Sequence, residues 1–311
     1  MSDVSVIIVT YNSDWEKLRL TLLSTVKQRN ISIQIIITDD GSEETFDENI
    51  VQLFKEFEFD NYVIVNNSVN RGTVLNISSA LKYLDGIYTK TIAPGDYFCE
   101  ELALSKWVKF MKYNRALVSF GDAIYYSDYD SMKYISTKGS PVNKHLYTND
   151  GSPSKVFLDY ILANDTILGA AQMMETKILK EYIRLIENKI IYAEDFMMRI
   201  MIFDGIKIKY YPCSVILYEY GTGISTSKNS KWAKLLHDDF EISNEIIQKR
   251  KPKTSLQQKY QIYLSKRHSK INKLVKLLYF PSVLINRLCM KLSIPTIPVD
   301  AKMVKAKWIE E

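Results

Sequence analysis

The chain is short of the residues that build several common kinds of site. Its three cysteines, Cys99, Cys213 and Cys289, lie far apart with no C-x-x-C pair. That argues against a zinc site or a disulfide framework and points to a reducing compartment. The three histidines, His145, His237 and His268, share no metal-like spacing. No G-x-G-x-x-G follows the first apolar run, and no G-x-x-x-x-G-K-[ST] occurs anywhere. A dinucleotide fingerprint and a P-loop are therefore set aside. Gly221-Thr222-Gly223 comes nearest, but it follows a late strand and lacks the third glycine. A bound nucleotide would have to be held by side chains and a cation. The opening MSDVSVIIVTYN has neither a basic region before a long apolar stretch nor a small-residue cleavage site. No secretion signal is read there, and the cytoplasm is the expected location. No internal repeat or low-complexity segment is present.

What the chain does have is enough apolar residue for a large core: 46% of 311 positions, one big domain or one domain with an appendage. The net charge of +5 hides an asymmetry. From Lys249 onward there are 15 Lys/Arg against Asp300, Glu310 and Glu311, which leaves 26 basic and 33 acidic residues upstream. An acidic body carries a basic tail, and the two are expected to meet different partners.

Val4 to Val9 is a continuous apolar, β-branched run, read as a buried strand, with Asn12-Ser13 as cap of the helix marked by Trp15, Leu18, Leu22 and Val26. A second run, Ile33 to Ile37, ends in the acidic turn Asp39-Asp40-Gly41-Ser42. Strand, helix, strand opens a parallel sheet. The alternation continues with a helix near 44–58, a strand at 62–65, a helix near 74–85, the strand running into Asp96, a helix at 100–113 and a strand at 116–120. Residues 128–155 read as loop, followed by helices at 155–163, 175–187 and 194–204 and two strands, 206–211 and 215–220, divided by Pro212.

In an open α/β sheet, ligands bind beyond the carboxyl ends of the strands. Four polar clusters fall there: Thr10-Tyr11-Asn12, Asp39-Asp40, Asn70-Arg71-Gly72 and the lone Asp96 after a Pro-Gly turn. Each alone could be a cap or a turn; together they argue for one site. Glu194 and Asp195 begin a helix, where the macrodipole favours acids, and one of them could take a proton from an incoming hydroxyl.

In order and spacing, SVIIVTYN, TDDGSEE, NRGTVLN, the strand-end Asp96 and AEDFMMRIMIFDGIKIKYYP resemble the family 2 glycosyltransferases of the GT-A fold, over roughly residues 4–226. The likeness is strongest to bacterial enzymes of capsular and cell-surface polysaccharide synthesis. The resemblance implies a Rossmann-like, mostly parallel central sheet flanked by helices, an inverting transfer from a UDP-sugar to a glycan hydroxyl, and a divalent metal, Mn²⁺ or Mg²⁺. It implies a catalytic domain at 1–226 and a basic, amphipathic helical region at 227–311. Position by position, Thr10 and Tyr11, with Asn12 beside them, flank the nucleoside, and Asp40 holds the uracil. Asn70, Gly72 and Asn76 line the nucleotide pocket, Asp96 is the metal ligand, and Asp195, with Glu194 beside it, is the catalytic base. Two departures stand out: Ala93 and Gly95 occupy positions that are often acidic, and Leu75 stands where Arg is common. Lys228 and Lys231 could close over the phosphates as a lid.

Two other readings are a nucleotidyltransferase, which the missing glycine-rich phosphate loop disfavours, and a catalytically silent scaffold of the same fold, which the thinned acidic motif keeps open. In the tail, Ile271, Leu274, Val275 and Leu278 fall on one helical face and Lys266, Lys270 and Lys273 on another. The longest uncharged run, Leu277 to Asn286, is about ten residues and contains Pro281, too short to span a bilayer. The tail is expected to meet an anionic membrane surface, on the inner face of the plasma membrane, or to form a dimer contact; nucleic acid is not expected as a partner.

Overall fold

The computed structural model describes residues 1–126, 139–219 and 230–266, with positions 276, 279, 280 and 308. Gly221-Thr222-Gly223, Lys228, His268, Cys289 and most of the tail beyond residue 266 lie outside the described residues.

The chain opens with three β-α repeats: β1 (Val4–Thr10), α1 (Trp15–Val26), β2 (Ile33–Asp39), α2 (Asp47–Glu56), β3 (Tyr62–Asn66) and α3 (Thr73–Ala80). Then come β4 (Tyr88–Ile92), the two-residue β5 (Tyr97–Phe98), α4 (Ala103–Asn114) and β6 (Val118–Tyr126). The second half carries α5 (Pro153–Val156), continued by a π-helical turn, then β7 (Gln172–Glu175), α6 (Thr176–Ile186), a 3₁₀ turn at Glu194–Phe196, α7 (Met197–Asp204), β8 (Ile208–Glu219), α8 (Ser230–Gln248) and α9 (Ser255–Ser265).

One mixed sheet runs β3-β2-β1-β4-β7-β6-β8-β5. β1 pairs in parallel with β2 and β4, β2 with β3, and β6 with β8; the contacts of β7 and β5 are antiparallel. The unbroken apolar runs of β1 and β2 follow from burial on both faces. Successive side chains alternate: Ile7 and Ile36 join the core under α3, α6 and α7, while Val6, Ile8, Ile35 and Ile37 join the core under α1, α2 and α4.

Register sets the site. Thr10 pairs with Asp39, Asp39 with Asn66, and Ile8 with Ile92, so three strands end at the same edge and the turn after β4 opens there.

Several local expectations change. α1 is capped by Asp14, which accepts from the Lys17 N–H at 3.1 Å, because Asn12 takes a left-handed φ of 44° and turns away to the neighbouring loop. α3 stops at Ala80. The two late strands are one, β8: Phe120 pairs with Tyr210 but Asp122 with Ser214, so Pro212 sits in a bulge where its missing N–H breaks no ladder bond. Gly121 makes room opposite, since a Cβ there would lie 2.9 Å from the Cys213 carbonyl oxygen.

Helices α8 and α9 close over α7. Buried Arg199 donates to Asn244 Oδ1 at 3.1 Å and to the Tyr260 hydroxyl at 3.2 Å, and stacks 4.3 Å from the Phe240 ring. Trp308 also packs on the sheet, its indole donating to the Phe98 carbonyl at 2.9 Å. Among the described residues no helix is long and apolar enough to cross a membrane.

Candidate active site

The β1 and β2 ends are tied together by side chains bonding to main chain. Asp39 accepts from Ser42 twice, from the N–H at 2.7 Å and the hydroxyl at 2.6 Å. Asp40 reaches the other way and accepts from the N–H groups of Arg71 at 3.0 Å and Gly72 at 2.8 Å. Burial pushes its carboxyl up, against the pull of those two N–H groups. Asn12 accepts from Glu43 N–H at 3.0 Å, and Thr10 donates to Ser13 at 2.7 Å. Asn76 is fully engaged: its amide donates to Thr38 O at 3.0 Å and Thr10 O at 3.4 Å, and its oxygen accepts from Thr38 Oγ1 at 2.6 Å. Asn70 accepts from Gly72 N–H at 3.2 Å, and it, Tyr11 and Asn12 are exposed at the mouth.

Gly72 joins this half of the site to the acid pair. Its φ is +92°, and a Cβ built on it would lie 2.6 Å from Ile191 O and 2.4 Å from Ile191 Cγ2. Val74 N–H donates to the same Ile191 carbonyl at 3.0 Å. Only glycine lets the Asn70–Gly72 loop come so near.

Ile191 leads into Glu194 and Asp195, which are partly open to solvent in the 3₁₀ turn before α7. The approach is held from α8: Asp239, 2% exposed, accepts from the N–H groups of Ile191 at 2.9 Å, Tyr192 at 2.8 Å and Ala193 at 3.0 Å. Burial pushes Glu194 up to about 8, with the Asp195 charge as the next cause. Asp195 is pushed up to about 6, by burial first and with the Asp239 charge adding to it. Burial and neighbouring carboxylate charge thus raise both acids above the ordinary carboxylate range.

The turn after β4 is rigid. Asp96 is 5% exposed and accepts from Ala93 N–H at 3.1 Å; the Gly95 carbonyl accepts from Tyr126 at 2.6 Å, and Thr21 of α1 bonds both Gly95 N–H and the Asp96 carbonyl. Burial pushes Asp96 up to about 7, opposed by the Ala93 N–H and the Lys90 charge.

Four further residues surround these groups. Lys90, in the middle of β4 and wholly buried, donates to Thr91 O and Ala170 O; burial pulls it down to about 7, while Asp96 and Glu194 favour its charge. Glu219, at the end of β8, is held by Lys17 of α1 through both oxygens, at 2.7 and 2.8 Å. Asp239 is the fourth. The sequence carried a signal only for Lys90, a lysine inside a strand otherwise built for burial. Lys231, exposed at the start of α8, lies 6.0 Å from the Trp232 ring.

These residues make a poor resident metal site. Asp96 is the one acid of its turn and is already hydrogen-bonded, and Glu219 is paired with a lysine. Among the described residues no group of three or more His, Cys, Asp or Glu is arranged to hold a metal ion.

The Glycosyl transferase family 2 profile matches residues 5–165, just over half of the chain. A search of curated proteins by sequence finds no match. Among solved structures, S. aureus TarS 1-349 superposes with a TM-score of 0.56 at 15% identity, over 93% of this chain and 79% of that one. The same fragment in complex with UDP-GlcNAc gives 0.57 at 16% identity, over 94% and 82%. Against the longer TarS structure the TM-score is 0.56 at 14% identity, with 94% of this chain covering 49% of that one. At these identities the likeness speaks for the fold, and the profile for the family. With the mixed sheet, its flanking helices and the strand-end site, the chain belongs to glycosyl transferase family 2 and is a glycosyltransferase of the GT-A fold.

Proposed function

We propose that the enzyme is an inverting glycosyltransferase that moves a sugar from a UDP-sugar to a hydroxyl of a glycan acceptor. The observation that carries this reading is the junction at Gly72, where the loop under Asp40 abuts the segment leading to Glu194 and Asp195. That approach sets the loop beneath Asp40 beside the segment that leads to the acid pair, as a shared site would need. The solved TarS complexes with UDP and UDP-GlcNAc support the choice of donor.

In this reading the nucleoside lies over Thr10, Tyr11 and Asn12, and the uracil is read at Asp40. Asn70, Gly72 and Asn76 shape the pocket wall, and the diphosphate points to the Asp96 turn. Asp195 takes the proton of the acceptor hydroxyl. The acceptor oxygen bonds to the anomeric carbon from the face opposite UDP, the bond from that carbon to the UDP oxygen breaks, and configuration inverts in one displacement. The resemblance leads to the expectation of a divalent ion on Asp96, but that carboxylate is already bonded to the Ala93 N–H and its turn has no second acid, so no step is routed through a metal.

Residues 1–226 form the catalytic domain in this reading, and 227–311 the region for an anionic membrane surface or a second copy, with Asp239 as the point where the second reaches into the first. The acceptor is a surface polysaccharide such as capsule, built at the inner face of the plasma membrane.

The test is transfer from a panel of UDP-sugars, read as UDP release and product mass, with Asp195→Asn alongside. A positioned base contributes about 10²- to 10⁴-fold, so Asp195→Asn loses turnover by that factor and keeps its affinity for UDP. Wild-type turnover in that variant removes Asp195 from the role.

A further inference from the structure

One acid at the donor turn already has a cation, Glu219 with Lys17. Gly95 stands where a second acid of the turn would be, and its side-chain space is taken: a Cβ built there, at φ +99°, would lie 2.7 Å from Glu219 Oε2. The acid absent from the turn's own sequence is in effect returned by β8. It arrives neutralised, clasped by Lys17 through both oxygens.

A second lysine is buried in the strand before Asp96. Lys90 Nζ is fixed to Thr91 O and Ala170 O. Thr91 runs directly into Ala93, whose N–H holds the Asp96 carboxylate. Ala170 follows Gly169, where a Cβ would lie 3.0 Å from Glu194 Oε1. Lys90, wholly buried, is therefore anchored between the strand that runs into the Asp96 turn and a turn that passes beside Glu194.

The electrostatic consequence is direct. An anionic turn needs a bridging cation before it can accept an anionic diphosphate. A turn in which Glu219 is already neutralised by Lys17, and Asp96 is bonded to the Ala93 N–H, offers a divalent ion little net attraction. Lys17 is suited to a further part. It lies in the first turn of α1, its side chain is 31% exposed, and its ammonium has three donors on a flexible stem, so it can exchange the carboxylate for phosphate oxygens.

We propose that this enzyme binds its nucleoside diphosphate without a divalent ion, the chain supplying the positive charge through Lys17 at the rim. The inference rests on the UDP reading above.

The experiment is calorimetric titration of UDP into the full chain in EDTA and in Mn²⁺, with the electron paramagnetic resonance signal of Mn²⁺ followed in a parallel sample. The expected result is an affinity that changes less than about threefold between the two buffers, well under the tenfold that one lost charged hydrogen bond would give. The free Mn²⁺ signal should show no attenuation beyond that caused by UDP alone. Lys17→Met should weaken UDP about tenfold or more in both buffers, with Lys17→Arg recovering most of it. UDP binding that needs Mn²⁺, or Mn²⁺ captured by protein and UDP together, overturns the proposal. Unchanged affinity in Lys17→Met overturns the part given to Lys17. A folded chain that binds no UDP in either buffer overturns the donor reading itself, and this inference with it.

Discussion

The two halves of the site are held by different means. On the donor side, Asp39, Asp40 and Asn76 bond to main chain no more than a few elements away, so the β1 and β2 ends and the loop beyond them wire themselves. On the acid side, the segment before Glu194 has no such local support. Its three N–H groups rest on one carboxylate, Asp239, brought from α8. The donor half is a product of its own repeats, and the acid half depends on a later helix docking in place.

Asp239→Ala breaks the comparison most severely. Three N–H groups, one buried and two part-buried, lose their acceptor, which costs about 3 kcal/mol. Turnover is expected to fall by about 10²-fold or more as the acid pair loses its position, while UDP affinity, read by calorimetry, stays near wild type. Equal losses in both would show that the halves are not independently held. Gly72→Ala comes next, because it strains both: the new Cβ collides with the Ile191 main chain at a φ that alanine avoids, at about 1–3 kcal/mol. UDP affinity and turnover should fall together, with a lower melting temperature.

A pH profile sharpens the comparison without a large lesion. Asp195 acts ionised and is raised to about 6, so kcat should decline as pH drops through that value, while UDP affinity changes less. The conservative Asp239→Asn removes a negative charge that raises Asp195, so its acidic limb should move to lower pH. A limb unmoved in that variant would leave Asp239 a purely structural tie. Asp40→Asn should have the smallest effect on turnover. It keeps one acceptor for the Asn70–Gly72 loop and should weaken UDP by about tenfold at most.

Much of the donor half was legible in the sequence because parallel strands buried on both faces print as unbroken apolar runs, and the polar residues that stop them mark the site edge. Glu194 and Asp195 were legible for the same reason, as acids before an apolar helix. β7 was not: four residues, paired antiparallel on both sides, are too few to print a period. β8 was read as two strands because Pro212 is a breaker everywhere except in a bulge. Asp239 lies in a helix of mixed charge, where an acid reads as solvated surface, and the partners of Lys17 and Lys90 are set by contacts across the chain. The loss of acids from the turn was visible at Ala93 and Gly95. That Glu219 fills the gap was not, since nothing local relates residue 219 to residue 95.

The seam at Gly72 also bears on how such an enzyme can change its substrate over time. A position whose side-chain volume is owned by another segment's main chain is closed to variation, whatever advantage a new side chain might offer the pocket. Asn76 is closed as well, being spent on internal bonds. Of the residues exposed at the mouth, Asn12 and Asn70 are tied to neighbouring N–H groups, so in the proposed reading Tyr11 is the position most open to change and drift in donor preference is channelled through a narrow rim.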